Sequence, residues 1–413
     1  MSLEGDRAIV HIPGKSSILT KPLQKGQKTN VRRGSLLHES IIGRRVRDRI
    51  QAQKGPEYRV TLPTLDEYVV LTPRLVTPIY AADANLIVSL LDIHVAPPSQ
   101  EEKQSPLEIL ESGTGHGSLT LHLSRAIQAA NPTPPPIPSM SQIQYLQGRP
   151  LRPGEDDAPH TSTSENDSSP SNPLQQQWDI WRSQRRAILH TVDVSPKFSA
   201  HAEKIVRGFR RGLYAGNVDF YVGHVENWIA DQIQRRTPKP LLPLTLTSRT
   251  VEPFLTHAIL DMPAANQRIP HVAPILKKDG ILAVFMPSIT QIGECVDLIR
   301  RQDLPFVMDK VVELGPGLSS GRQWDVRFAV KKSRADPSSW METVDAGDSA
   351  VQPDLDSLAE DKNMGDIASA PAEEETSRDY KDSVLVCRPK VGNRIVGGGF
   401  VGIWRRIEGT RKR

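Results

Sequence analysis

The stretch Glu108-Ile-Leu-Glu111-Ser-Gly113-Thr-Gly115-His-Gly117-Ser118-Leu-Thr-Leu-His-Leu123 decides the fold. A short apolar run (Leu107, Ile109, Leu110) enters it, and three alternating glycines turn it. Leu119, Leu121, Leu123, Ala126 and Ile127 then leave it in a helical pattern. This is the strand–turn–helix setting in which a backbone passes close beneath a nucleotide-like ligand. Glycine is needed there because a side chain would block the approach or forbid the turn. The spacing is not the Gly-x-Gly-x-x-Gly of dinucleotide binders, and no Gly-Lys-Ser/Thr ending offers a lysine to a triphosphate. By itself the run also fits a tight strand–helix connection in any α/β domain.

Outward from the loop the chain alternates strands with helices. Ala187–Val192 reads as a second strand, ending at the acid Asp193. Ala202, Ile205, Val206 and Phe209 then give a helical stripe that Gly212 closes. Asn217–Val222 and His257–Asp261 read as the third and fourth strands, and Ile281–Phe285 as the fifth, reached through a helix around His271–Leu276. Ile289–Arg301 reads as a helix, and Phe306–Leu314, Trp324–Val330 and Phe400–Trp404 as strands. Such alternation predicts a mostly parallel sheet with right-handed crossovers, closed by an antiparallel edge hairpin. Before it, residues 1–75 alternate short apolar runs (Ala8–Ile12, Ser35–Leu37, Tyr58–Leu62) with turn residues, which predicts a small β-rich domain. Residues 76–413 would be the α/β domain, interrupted by disordered insertions at 131–176, 231–253 and 333–382. The first insertion holds ten of the 34 prolines.

Composition narrows the partners. The 413 residues carry a formal net charge of +4. From Asp336 to Asp379 there are 13 acids and two bases, a local net of −11, so the remainder carries +15. A basic body with one acidic segment suits a nucleic-acid partner. Two cysteines are too few for a disulfide framework or a zinc site. No apolar run is long enough to span a membrane. The acidic N-terminus resembles neither a secretory signal nor an Arg-rich transit peptide.

Several motifs, in one order, resemble the catalytic subunit of tRNA (adenine-58-N1)-methyltransferase. Gly34-Ser-Leu-Leu-His38-Glu-Ser-Ile41-Ile42-Gly43 is similar to its Gly-x-x-x-His-x-x-Ile-Ile-Gly element, and Pro63-Thr64-Leu-Asp-Glu67-Tyr68 to its Pro-Thr-x-Glu-x-Trp/Tyr. Arg74, followed by Thr77-Pro-Ile79-Tyr80-Ala-Ala-Asp83, resembles Arg-Thr-Gln-Ile-Ile-Tyr-x-x-Asp with an insertion after the arginine. Glu111-Ser-Gly-Thr-Gly-His-Gly-Ser-Leu-Thr is similar to Glu-Ala-Gly-Thr-Gly-Ser-Gly-Ser-Leu-Ser. Leu260-Asp261-Met-Pro263-Ala264 with Ile269-Pro270-His271, and Pro287-Ser-Ile-Thr-Gln291, complete the set. The resemblance implies a class I S-adenosylmethionine-dependent methyltransferase fold: Rossmann-like, with a mostly parallel sheet and an antiparallel edge hairpin, plus the small N-terminal β domain. It implies S-adenosylmethionine as cofactor and tRNA as substrate, methylated on N1 of adenosine 58 in the T-loop. It also implies a tetramer, either with a non-catalytic partner subunit or of one chain type, and a nuclear location with the mitochondrion as alternative.

Carried over by position, Ile79 packs on the cofactor and Gly113, Thr114, Gly115, His116, Gly117, Ser118 and Leu119 wrap it. Asp193 holds its ribose. His224 and Val225 flank its adenine, and Asp261 faces the target base. The family has Asp where His224 stands, and an aromatic where Asn266 stands. Pro287-Ser288 replaces Pro-Cys. The chemistry needs no metal: adenine N1 is an unprotonated lone-pair acceptor, and the sulfonium carbon is already activated. The protein must supply in-line positioning and a group for the charge that develops on the base.

Some residues have plainer readings. Asp261 could cap the helix after Pro263, and Asp193 could be the N-cap of the helix through Phe198. His116 and His122 read as helix-surface residues, and His38 and His271 as structural histidines or contacts to RNA. Arg44-Arg45-Val-Arg47-Asp-Arg49, Arg207–Arg211 and Arg405–Arg413 are candidate phosphate contacts or solvated faces. The substitutions at His224 and Asn266 leave two alternatives open: a non-catalytic tRNA-binding or scaffolding paralogue, and a methyltransferase for another RNA or a protein.

Overall fold

A computed structural model describes residues 2–12, 16–97, 105–148, 173–237, 251–315, 322–330, 383–389 and 398–408. At the N-terminus, β1 (Ile9–His11), β2 (Ile18–Leu19), β3 (Lys28–Asn30), β4 (Ser35–Leu37), β5 (Arg49–Gln51) and β6 (Glu57–Thr61) are all antiparallel. They form a four-stranded sheet in the order β2-β1-β6-β5 and a separate β3–β4 pair. Alternation along β6 turns Tyr58 and Val60 inward, where they join Ala8, Val10, Leu23, Leu36, Ile41 and Ile50 in a core of their own.

Two helices lead out, α1 (Leu65–Leu71) and α2 (Ala81–Leu90). A capping box starts α1: the Thr64 hydroxyl accepts from Glu67 N, and the Glu67 carboxylate accepts from Thr64 N. The Tyr68 hydroxyl on α1 donates to the Ile205 carbonyl at 2.8 Å, which fastens this helix onto the α/β body.

The body then runs β7 (Leu107–Ser112), α3 (Ser118–Ile127), β8 (Gln144–Tyr145), α4 (Pro173–Ser183), β9 (Ala187–Asp193), α5 (Pro196–Gly208), β10 (Val218–Val222), α6 (Val225–Arg236) and β11 (Leu255–Leu260). It continues with α7 (Ile269–Val272), β12 (Leu276–Met286), α8 (Ile289–Arg301), β13 (Phe306–Leu314), β14 (Arg322–Val330), β15 (Ser383–Pro389) and β16 (Gly399–Arg406). The ten strands order as β15-β14-β13-β16-β12-β11-β7-β9-β10-β8. Every pair from β12 across to β8 is parallel, while β16 runs antiparallel to both its neighbours. This is a doubly wound, mostly parallel sheet with an antiparallel edge, the architecture the sequence predicts. A second compact unit, Arg327–Val386, contains among the described residues only the facing ends of β14 and β15.

Several sequence expectations are corrected. The antiparallel edge is not a terminal hairpin: β16 slots between β12 and β13, because its apolar residues (Val401, Ile403, Trp404) bury best with a strand on each side. The insertion at 131–176 is ordered at both ends. Ile143 and Leu146 are buried, β8 extends the sheet alongside β10, and α4 buries Trp178 and Trp181. Proline richness hid this, since the segment packs without helical or strand periodicity. Arg182 and Arg185, at the C-terminal end of α4 and just beyond it, hold the buried Asp219 at 2.8 Å each. Their positive charge keeps that carboxyl well below the usual range. Residues 231–236, assigned to the second insertion, belong to α6. The rest of the first two insertions and the acidic segment lie outside the described residues, apart from Thr237, which caps α6, and 251–253. The helix expected to reach Leu276 stops at Val272, and Leu276 already pairs with Leu255 in β12.

Candidate active site

In a doubly wound sheet, ligands bind outside the carboxyl ends of the strands, where the strand order reverses. Here the reversal falls between β7 and β11: chain order runs outward through β9 and β10 on one side and through β11 and β12 on the other. The glycine loop leaves β7 at that point, and Asp261 follows β11 directly beside it. Asp261 N donates to Ser112 O at 2.8 Å, and Gly113 N to Val192 O at 2.9 Å. Gly113 is required: its φ is +101°, and a Cβ on it would lie 1.8 Å from the Asp261 carbonyl oxygen.

Asp193, at the end of β9, spans the loop and the next helix. Its Oδ2 accepts from Gly115 N at 3.0 Å and its Oδ1 from Ser195 N at 2.8 Å. The N-cap of α5 is Ser195, whose hydroxyl accepts from Phe198 N, so Asp193 is not the cap. Each Asp193 oxygen keeps acceptor capacity for a diol. Burial pushes its pKa up, against the two amide bonds that lower it.

Asp261 is the outlier. Among the described residues its carboxylate has no hydrogen-bond partner, so it does not cap the following turn. Burial, reinforced by the charge of Asp193, pushes its pKa up to about 7. Glu111, the acid ahead of the glycines, is 1% exposed, and its pKa is pushed up to about 8 by burial despite a 2.7 Å bond from the Thr120 hydroxyl. The Thr114 and Thr191 hydroxyls pair at 2.6 Å beneath the loop.

The remaining residues fall into two groups. Ile79 is half-buried against the core, and its carbonyl accepts from Ser118 Oγ at 2.6 Å, which pins the segment ahead of α2 to the loop. His224 and Val225 begin α6 beyond β10. Gly223 N donates to Asp193 O at 3.0 Å, so they share the rim with Asp193. The His224 ring is half-exposed and caps nothing. Leu119 and Val225 turn into the protein interior.

The His116 ring is directed away from helix surface and solvent alike. It is 2% exposed and bonded to Thr72 and His201. His122 is fully buried, with Nδ1 2.7 Å from Ser118 O. The surface reading of both fails because α3 is covered on several sides, by α2 and α5 as well as by the sheet. His38 is structural: it is buried and accepts from Gln24 N, with Thr29 Oγ1 2.9 Å from its other ring nitrogen. His271 is exposed.

Sequence reasoning did not single out Glu111, Thr72 or His201. Glu111 carried a signal, as the acid just before the glycines. Thr72 and His201 carried none, lying 44 and 85 residues from the loop residue they contact.

The site can hold S-adenosylmethionine. Around the glycine loop stand three side chains: Asp261, unpartnered among the described residues, Asp193, with spare lone pairs, and His224; the loop is open at Gly115, where an added Cβ would meet, among the described residues, only Val76 Cγ1, at 3.7 Å. A separate cleft of about 880 Å³ opens on the N-terminal sheet between Arg47, Arg49, Arg59, Glu57 and Glu67, away from this crevice. No group of three metal-ligating side chains occurs among the described residues, and none of their helices is long and apolar enough to cross a membrane.

No protein-family model matches the sequence. Curated relatives do. The tRNA (adenine(58)-N(1))-methyltransferase TrmI of two Thermus thermophilus strains is 25% identical over 303 residues, covering 73% of this chain and 81% of that protein. Among solved structures, a SAM-dependent O-methyltransferase from Thermotoga maritima matches at 13% identity and TM-score 0.49, covering 98% of this chain and 94% of that one. The tRNA (m1A58) methyltransferase TrmI from Aquifex aeolicus matches at 13% identity and TM-score 0.46, covering 98% and 99%. The resemblance carried by the motifs is thus shared by curated homologues from the tRNA (adenine-58-N1)-methyltransferase family.

Proposed function

We propose that this chain is an S-adenosylmethionine-dependent methyltransferase that modifies N1 of adenosine 58 in the T-loop of tRNA. The observation that carries the proposal is Asp261: a carboxylate without a partner, held by its backbone against the glycine loop at the switch point of the sheet. The cofactor supplies an activated methyl group. The protein places the acceptor. Asp261 accepts from the exocyclic amine of the target adenine and stabilises the positive charge that N1 gains on methylation. It acts from a site of low exposure, where such a charge pair is worth more than in water. Asp193 holds the ribose, and the loop amides orient the rest. Adenine N1 lies inside the folded T-loop, so the nucleotide is extruded into the crevice. The working assembly we propose is a tetramer, of one chain type or with a non-catalytic partner subunit.

The test is methyl transfer to a tRNA transcript, with the product nucleoside identified by mass spectrometry. Asp261→Ala is expected to lower kcat by roughly 10²–10³-fold, and a transcript lacking adenosine 58 to accept nothing. Undiminished transfer by Asp261→Ala would sink the assignment.

A second reading, a non-catalytic tRNA-binding paralogue, is favoured by His224 and Asn266, which stand where the family has an acceptor carboxylate and an aromatic. A neutral imidazole accepts one hydrogen bond, so the amine-binding position is weakened and not abolished. Calorimetric titration separates the readings: micromolar cofactor binding supports the enzyme, and none at millimolar cofactor supports the paralogue.

A further inference from the structure

The glycine loop has one side chain whose contacts a bound cofactor does not explain. His116 is the residue between Gly115 and Gly117, and its buried ring bridges two distant elements. Nε2 lies 3.0 Å from Thr72 Oγ1, just past the end of α1, and Nδ1 lies 3.2 Å from His201 Nε2 on α5. The rings sit with centroids 5.1 Å apart.

A hydrogen bond between two ring nitrogens needs one to carry the proton and the other to be bare. The chain therefore persists only while at most one of the two rings is a cation. Its surroundings enforce this. Arg74 faces His116 from the segment after α1, and Lys204 faces His201 from α5. Of the acids on neighbouring elements, Asp66 on α1 turns to His122 at 3.6 Å, and Glu67 is taken up by the α1 capping box. Among the described residues no carboxylate is bonded to either ring. Burial and the neighbouring charges push the His116 pKa down to about 4.

The loop has a mechanical need for such an anchor. Gly113, Gly115 and Gly117 all adopt positive φ (101°, 51° and 82°), and glycine imposes little rotational restriction of its own. Fixing the ring of the residue between two of them fixes the peptide planes on either side. The plane immediately ahead of these, between Thr114 and Gly115, presents Gly115 N to Asp193. Ser118 Oγ, bonded to Ile79 O, pins the far end of the loop to the same 72–80 segment.

We propose that the Thr72–His116–His201 chain is the device that sets the glycine loop in its cofactor-binding shape, with His116 a positioning residue acting through the backbone of Gly115 and Gly117. This rests on reading the loop as the S-adenosylmethionine site.

The experiment is calorimetric titration of the full chain with S-adenosylmethionine and S-adenosylhomocysteine, with melting temperature recorded for each variant. His116→Ala removes both bonds and is expected to weaken binding by roughly tenfold or more, and Thr72→Val, which removes one hydroxyl at near-constant shape, by roughly fivefold. His116→Asn keeps an amide near Nδ1 for His201 and is expected to recover most of the loss. Losses of affinity in Thr72→Val without a fall in melting temperature, together with recovery in His116→Asn, support positioning. Should His116→Ala fail to fold, the other two variants decide. Wild-type affinity in Thr72→Val together with wild-type affinity in His116→Ala or His116→Asn overturns the proposal. So does an affinity loss that only tracks melting temperature and that asparagine does not restore. A wild-type chain that binds neither probe sinks the cofactor reading itself, a distinguishable failure.

Discussion

At the scale of single residues, three carboxylates set the character of the crevice: Glu111, Asp193 and Asp261. All have raised pKa values, chiefly through burial. In the proposed mechanism Asp261 must be ionised to accept from the target amine, and burial holds its pKa at about 7. Activity measured as kcat/KM is therefore expected to rise from about pH 6 to about pH 8, and Asp261→Asn to flatten the profile at a low level. Glu111 makes a stability prediction. Its pKa rises from 4.5 in the unfolded chain to about 8 on folding, so the native state binds the extra proton. Its contribution is fully present below the unfolded value and is lost as pH rises through about 8. Glu111→Gln keeps an acceptor for Thr120 and cannot ionise. The variant is expected to lose less melting temperature than wild type between pH 6 and pH 9, as scanning calorimetry would show. Equal losses in the two proteins would mean that Glu111 does not hold the proton. Glu111, Asp193 and Asp261 were each visible in the sequence as an acid beside a strand end. Their mutual influence was not, because it depends on which strands become neighbours.

At the scale of elements, apolar runs and glycines located β7, α3, β9, β10, β11, α8 and β13 to within a residue or two. Their amphipathic or buried patterns follow directly from side-chain period. The misses have specific causes. The strand β8 has two residues, too short for any period, and is recognisable only by its pairing with Tyr221 and Val222. Helix α6 was hidden because Trp228 and Ile229 point inward while Arg235 and Arg236 end it, so its second half resembled the polar insertion that follows. Helix α5 supports a test of how elements place the site. Ser195 caps it, and Ser195 N is held by Asp193. Ser195→Ala removes the cap bond to Phe198 N and is expected to cost about 1 kcal/mol, seen as a melting-temperature drop of roughly 2–4 °C. It should also loosen Asp193, so cofactor affinity is expected to fall with it. A fall in stability with unchanged affinity would separate the helix from the site.

At the scale of the whole molecule, the charge distribution resolves the candidate phosphate contacts. Arg207 is tied to Glu203 and to the Met140 and Pro138 carbonyls, Arg211 to Asp6, and Arg405 to Asp279. Arg44, Arg45 and Arg47 on the N-terminal domain are exposed, and their guanidinium groups have no ion-pair partner among the described residues. Replacing all three with alanine is expected to weaken tRNA binding across all sequences and to reduce the slope of log affinity against log salt by roughly 2–3. Filter binding over a salt series measures this. An unchanged slope would place the RNA backbone elsewhere. The arginines stand in the sequence as runs, with no sign of which are already paired, since Asp6 and Arg211 lie 205 positions apart.

The placement of β16 has a consequence for biosynthesis. The strand pairs with β12 through Met286–Phe400 and with β13 through Glu313–Phe400, so the sheet between them waits for residues made some 85 positions after β13 ends, the interval in which the acidic segment is translated. Until they emerge, β12 and β13 each present an open hydrogen-bonding edge. Nascent chains are therefore exposed to edge-to-edge aggregation for the whole time needed to translate the acidic segment.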